Sequence, residues 1–143
     1  VLWDDAQLPG YSKIRLRADA AIKRVVLCSG KVYFDLFEKR EQEGRDDVYI
    51  IRLEQLYPFP ARALIHELSR FPNAEIVWCQ EEPKNMGAWT FAHPNIDWVL
   101  GHTPARAKTV RYAGRPASAS TATGQLSQHI KEQTALVTDA LGL

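Results

Sequence analysis

Cysteine is scarce in this chain, with two among 143 residues, and both Cys28 and Cys79 lie inside apolar, strand-like runs. That placement argues against a disulfide framework and for two small buried hydrophobes in a reducing compartment. A reactive thiol needs partial exposure and a neighbouring base, and the sequence offers neither. No apolar run approaches the roughly 20 residues that span a bilayer, so a membrane partner is not expected. Charge of one sign is missing as well: 18 Lys and Arg stand against 17 Asp and Glu, a net charge of +1. A nucleic-acid partner, which calls for a clearly basic face, is therefore not expected either.

Several chemical signatures are also lacking. There is no G-x-G-x-x-G, no G-x-x-x-x-G-K-[ST] and no H-E-x-x-H. There is no Gly-Asp-Gly run followed by Asn-Asn, the thiamine-type metal motif. His66, His93, His102 and His129 have spacings that fit no metal rule, and solvated or packed histidines are expected. Val1-Leu2-Trp3-Asp4 does not read as a signal peptide, and without an initiator methionine the chain is expected to be a piece of something longer.

What is present is alternation. Residues 1–22 show no sustained period and read as a linker or edge segment, with Lys13 to Arg17 a candidate edge strand. Residues 23–143 read as one domain. Arg24 to Cys28, Val48 to Leu53, Glu75 to Gln80 and Thr109 to Tyr112 are β-branched or apolar runs. Between them, Lys31 to Glu43 carries an apolar stripe of Val32, Leu36 and Phe37, and Gly44 is a stop signal. Pro60 opens a helix from about Ala61 to Arg70. Gly87 to about Val99 is helical in part, with Pro94 expected to kink or split it. Gln125 to Leu141 closes the chain, with Leu126, Ile130, Leu136, Val137 and Leu141 as its apolar set. Strands alternating with helices predict an α/β three-layer sandwich: a mostly parallel sheet with an antiparallel edge strand and helices on both faces.

Ligands of open parallel sheets bind beyond the carboxyl ends of the strands, so the polar residues there are the candidate site. Ser29 is a natural helix cap, and with Lys31 it reads either as an anion seat at a helix N-terminus or as a capped turn. Arg52, Glu54 and Gln55 end the second strand and read as ligand or subunit contacts, or as a surface ion pair. Glu81 and Glu82 end the third strand. They point to opposite faces, which favours a structural role over a shared proton. Arg115, in the small-residue loop Gly114 to Gly124, reads as a bidentate grip on a phosphate or as part of a packed connection.

Four blocks carry a family resemblance: Leu27-Cys28-Ser29-Gly30-Lys31-Val32-Tyr33, Arg52 to Pro58, Trp78 to Trp89, and Tyr112-Ala113-Gly114-Arg115-Pro116. In that order they resemble the carboxyl-terminal domain of the 2-oxoglutarate dehydrogenase E1 family. The resemblance implies a transketolase C-terminal-like fold. It implies a parent enzyme that oxidatively decarboxylates 2-oxoglutarate in the tricarboxylic acid cycle with thiamine diphosphate and Mg²⁺, and passes the succinyl group to lipoyl-E2. It implies a homodimeric parent in a multienzyme complex with the E2 succinyltransferase and E3, in the cytoplasm of a bacterium or the mitochondrial matrix of a eukaryote.

In that family the cofactor and metal sites lie in upstream thiamine-binding domains, which this chain does not contain. No catalytic, cofactor-binding or metal residue is carried over. The expectation is a non-catalytic domain, inactive alone, that supports the dimer and the active-site architecture. Ser29, Lys31, Arg52, Glu54, Glu82 and Arg115 are candidate anion, regulatory or interface residues. The alternatives are a regulatory module for an anion, acetyl-CoA or a nucleotide, the same domain of a related 2-oxo-acid dehydrogenase, and a stand-alone interaction protein.

Overall fold

The computed structural model describes residues 1–143. Four strands, β1 (Arg24–Cys28), β2 (Val48–Arg52), β3 (Glu75–Cys79) and β4 (Arg111–Ala113), alternate with α1 (Val32–Glu43), α2 (Ala61–Leu68), α3 (Trp89–Gly101) and α4 (Leu126–Leu141). The sheet order is β2-β1-β3-β4, with every strand pair parallel. Side chains alternate between faces along each strand. Val25, Leu27, Tyr49, Ile51, Ile76 and Trp78 therefore join α2 and α3 in one core cluster. Val26, Cys28, Val48, Ile50, Val77 and Cys79 join α1 and α4 in the other. The α/β three-layer sandwich expected from the sequence is what forms.

The chain steps from β1 outward to β2, then back across β1 to β3 and on to β4. With one crossover hand, this reversal puts α1 on one face and α2 and α3 on the other; α4, which follows the last strand, packs back on the α1 face. The switch of direction lies between β1 and β3.

The antiparallel element is smaller than a strand. Leu2 pairs with Arg52 in one isolated antiparallel bridge at the outer edge of β2. Lys13 to Arg17 forms no strand; Arg17 is instead tied to Asp46 through its backbone N–H at 2.9 Å and its Nε at 2.8 Å. Two side chains finish the β2 edge. Asp4 accepts the Ile50 N–H at 2.7 Å, and Arg40 donates to the Val48 carbonyl at 3.2 Å. Asp4 and Arg40 are both fully buried and paired through both carboxylate oxygens. An edge that would otherwise offer free donors and acceptors is thus occupied from within.

Three further expectations are corrected. Pro94 does not split α3, which runs unbroken from Trp89 to Gly101. Proline removes one helix N–H, and the carbonyl deprived of it belongs to Thr90, an exposed residue. Ser29 does not cap α1; the cap position is Lys31, without a side-chain bond, because Gly30 turns the chain at φ 74°. Leu126 and Ile130 do not face the core: they are 74% and 56% exposed. Burial along α4 begins at Leu136, so its first turns run past the sheet.

At the amino end of the sheet, Asp47 accepts from Arg45 Nε at 2.9 Å and lies 3.6 Å from Lys23 Nζ. Burial alone would raise its pKa, but the Arg45 hydrogen bond and charge, with Lys23, outweigh burial and hold the carboxyl below its ordinary value. A carboxyl lowered by folding stabilises the fold above its unfolded-state value, about 3.9, and that stability disappears as pH falls through the folded value. Asp47→Asn is expected to flatten the loss of stability on acidification below about pH 4, read by urea unfolding along a pH series. An unchanged acid limb would refute the linkage.

Candidate functional site

The carboxyl ends of the strands bring the expected residues to one rim. Beyond β1, the Gly30 N–H donates to Glu54 Oε1 at 3.2 Å. The anion seat expected at Ser29 and Lys31 is therefore served by a carboxylate of the chain itself, delivered from the end of β2. Ser29 makes no side-chain hydrogen bond here. Lys31 leans across the switch point instead, to Glu81 at 2.7 Å and Asp35 at 3.8 Å. The hydrogen bond to Glu81 holds the Lys31 ammonium above its ordinary pKa. Gln133 of α4 completes the bridge, donating to Glu81 at 3.0 Å and to Asp35 at 2.6 Å.

Arg52 is also engaged. It contacts both Asp5 carboxylate oxygens at 3.2 and 3.3 Å, and its guanidinium lies 4.1 Å from the centroid of the Tyr33 ring. Burial first, then the hydrogen bond with Asp5, raises the Tyr33 phenol. Arg115 sits 2.5 Å from Glu132 Oε2 through Nε, at an angle unsuited to a hydrogen bond, and donates from Nη1 to the Thr121 carbonyl at 3.0 Å. A hydrogen bond from Gln128, then Arg115, lowers the Glu132 carboxyl. Lys31, Arg52 and Arg115 thus each carry an acidic partner. Arg115 pairs with neither Glu81 nor Glu82. The Glu82 carboxylate has no ion-pair partner, and it faces a cavity of about 230 Å³ shared with Glu81, Arg115, His129 and Glu132.

The residue that organises the rim is Gln80, which sequence reasoning placed at the end of β3 without a role. It is 4% exposed. Its Oε1 accepts from Trp78 Nε1 at 3.0 Å and from the Trp89 N–H at 2.9 Å. Its Nε2 donates to the carbonyls of Glu82, Pro83 and Met86 at 3.2, 3.1 and 2.8 Å. One amide therefore shapes the loop from Glu81 to Ala88 and starts α3. The signal was available: a glutamine closing an apolar strand just before Glu-Glu-Pro is an unusual buried polar group and needs partners.

The β3–α3 and β4–α4 loops are zipped together. The Lys84 N–H donates to the Arg115 carbonyl at 3.0 Å, and Asn85 exchanges two hydrogen bonds with the Ser118 backbone at 2.9 and 3.0 Å. Tyr112 reaches the carbonyls of Arg115 and Glu82 at 2.8 and 3.2 Å. Burial pushes its phenol up to about 12. A Cβ at Gly114 would come within 2.5 Å of the Tyr112 hydroxyl and 2.8 Å of the Gln80 carbonyl. Gly114→Ala is expected to cost about 1–3 kcal/mol as overpacking. A midpoint of thermal unfolding equal to that of the unsubstituted protein would show that the loop is loose.

Neither cysteine is chemically poised. They face each other in register across β1 and β3, both fully buried. Burial raises the Cys28 thiol and pushes Cys79 up to about 12. No three His, Cys, Asp or Glu side chains converge as a metal-holding set, and Lys31, Arg52 and Arg115 are committed to internal carboxylates. These residues do not fit a magnesium–diphosphate group.

A family model described as 2-oxoglutarate dehydrogenase C-terminal matches residues 1–141. Curated 2-oxoglutarate dehydrogenase E1 components from Brucella anthropi, Brucella ovis and Brucella abortus are each 63% identical over 142 residues, 99% of this chain. The chain spans 14% of the length of these relatives.

Proposed function

The chain belongs to the 2-oxoglutarate dehydrogenase C-terminal family, and from that premise we propose that it is a non-catalytic domain that braces the active-site architecture and dimer of an E1 component. The parent would oxidatively decarboxylate 2-oxoglutarate in the tricarboxylic acid cycle and pass the succinyl group to lipoyl-E2, in a complex with E3. Its thiamine diphosphate and Mg²⁺ would be held by upstream domains. The parent would be a homodimer, cytoplasmic in a bacterium or in the mitochondrial matrix of a eukaryote. Within the chain, residues 1–22 would link the upstream domains to the domain of residues 23–143.

The observation that carries this reading is the internal neutralisation of the rim. Lys31, Arg52 and Arg115 are matched to Glu81, Asp5 and Glu132, and Glu54 serves the Gly30 N–H. Groups satisfied within the chain brace loops; they are not left free to bind substrate or to move protons. Lys31, Arg52, Glu54 and Arg115 are accordingly assigned to shaping the loops, and Ser29 and Glu82, whose side chains have no partner within the chain, to interface contacts. The test is CO₂ release from 2-oxoglutarate by the 143-residue chain supplied with thiamine diphosphate and Mg²⁺. No turnover above the uncatalysed rate is expected, and turnover by the chain alone would overturn the reading.

A further inference from the structure

Residues 1–21 are held to the rest of the domain mainly by polar contacts. In that stretch only Asp4 is buried. Val1 and Leu16 rest on the core in part, and neither short 3₁₀ turn, Asp5–Gln7 or Asp19–Ala21, buries a residue. The attachments run the length of the segment. Leu2 exchanges two backbone hydrogen bonds with Arg52, both at 2.9 Å. Asp4 pairs with Arg40, and Asp5 with Arg52. Glu41 of α1 accepts from Ser12 Oγ and from the Lys13 N–H, each at 2.6 Å. Arg17 pairs with Asp46, and Asp19 accepts from Arg70, just past α2, at 2.9 and 3.0 Å. Anchorage in the core begins at Ile22, which is buried. The Lys23 N–H then donates to the Asp47 carbonyl, and the Lys23 carbonyl accepts the Glu75 N–H, both at 2.9 Å.

A segment with little apolar burial opens ahead of the core it lies on. Its exposed ion pairs are individually weak and are screened by salt. The buried pair of Asp4 and Arg40 resists opening less than its burial suggests. Opening hydrates both charges together, so the desolvation that burial cost is recovered, whereas deleting one partner brings no such return. We propose that residues 1–21 form a strap that opens and closes as one unit, in a salt-dependent equilibrium, while the sheet stays folded. Opening has two consequences at once. The outer edge of β2 loses Leu2 and Asp4, which leaves the N–H groups of Ile50 and Arg52 and the Arg52 carbonyl free to pair with an extended segment. At the carboxyl rim, Arg52 loses Asp5 and keeps its seat over the Tyr33 ring. The strap thus couples the edge of the sheet to a charge at its rim.

The test is amide hydrogen exchange of the 143-residue chain, which encloses both core clusters, read residue by residue as protection factors. Arg52 and Leu53 are neighbours that face opposite ways. The Arg52 N–H donates to the Leu2 carbonyl at 2.9 Å, and the Leu53 N–H to the Cys28 carbonyl at 2.8 Å. The N–H groups of Ile50, bound to Asp4, and of Arg17, bound to the Asp46 carbonyl, report on the strap at two further points. Arg52, Ile50 and Arg17 are expected to be at least about 30-fold less protected than Leu53. Raising salt from about 0.05 M to about 1 M should lower all three by one common factor, about 3-fold or more, and leave Leu53 unchanged. Asp19→Asn removes a pair at the far end of the strap and Asp5→Asn one at the rim. Each should lower protection at Arg17 and Arg52 alike. Protection equal to that of Leu53 would show that the strap opens only with the sheet, and no protection would show that it never closes; either result overturns the proposal. Indifference to salt, or a variant that loosens only its own end, overturns it as well.

Discussion

Asp4→Ala is expected to destabilise the fold by about 3–5 kcal/mol, the cost of leaving a buried charge without its partner. Arg40 has no exposed surface, and its Nε already lacks a hydrogen-bond partner. Removing the carboxylate leaves the guanidinium between α1 and β2 with only the Val48 carbonyl at 3.2 Å and the more distant Glu41 carboxylate at 3.8 Å. The Ile50 N–H loses its acceptor at the same time, and the first turn of the chain loses the bond from the Ala6 N–H to Asp4 at 2.9 Å. The β2 edge would then be open to pairing with another chain. Urea unfolding and sedimentation of the variant measure both effects: a lower midpoint, and more self-association than the unsubstituted chain measured alongside it. The double variant Asp4→Ala/Arg40→Met removes the stranded charge and should recover part of the loss. A single variant within about 1 kcal/mol of the unsubstituted protein would contradict the account of the buried pair.

Gln80→Leu is expected to cost about 3 kcal/mol or more, because one change leaves several buried polar groups unpaired at roughly 1–3 kcal/mol each. Trp78 Nε1, the Trp89 N–H and three loop carbonyls all depend on this amide. Gln80→Glu separates the two halves of the network. A carboxylate still accepts from both tryptophans but turns an acceptor towards the carbonyls of Glu82, Pro83 and Met86. The Glu variant should therefore keep the start of α3 and loosen the loop from Glu81 to Ala88. Amide exchange reads this directly: faster exchange at the Met86 N–H, which donates to the Pro83 carbonyl at 2.8 Å, with the Ala92 N–H slow as before. Equal loosening at both sites would show that the glutamine acts only as packing. The two substitutions lie far apart in the fold and share no partner, so their costs should add.

The sequence showed some of this structure and hid the rest, for definite reasons. Apolar runs of β-branched residues marked β1, β2 and β3 nearly to the residue, since a parallel strand covered on both faces has little choice of composition. Gly44 announced the end of α1 because the chain there takes φ 63°. What local pattern cannot report is how far an element extends beyond its support. The periodicity of α4 put Leu126 and Ile130 in line with Leu136 and Val137, yet the helix outruns the sheet before it reaches them. Long-range pairs were equally hidden. Asp4 meets Arg40 across 36 residues, and Glu54 reaches back to Gly30 across 24. Nothing in the spacing of either pair says so. The candidate rim was legible as a set of positions, because strand ends can be read from the pattern. The partners of its charges were not, and it is those partners that turn an apparent ligand site into a braced set of loops.

The most direct test of the scaffold role is to remove the domain from the full-length parent at Val1 and follow two readouts together: oxidative decarboxylation of 2-oxoglutarate with thiamine diphosphate and Mg²⁺, and the oligomeric state by sedimentation. Loss of turnover together with loss of the dimer is the predicted result. A shortened parent that stays dimeric and turns over 2-oxoglutarate at the full rate would contradict the account.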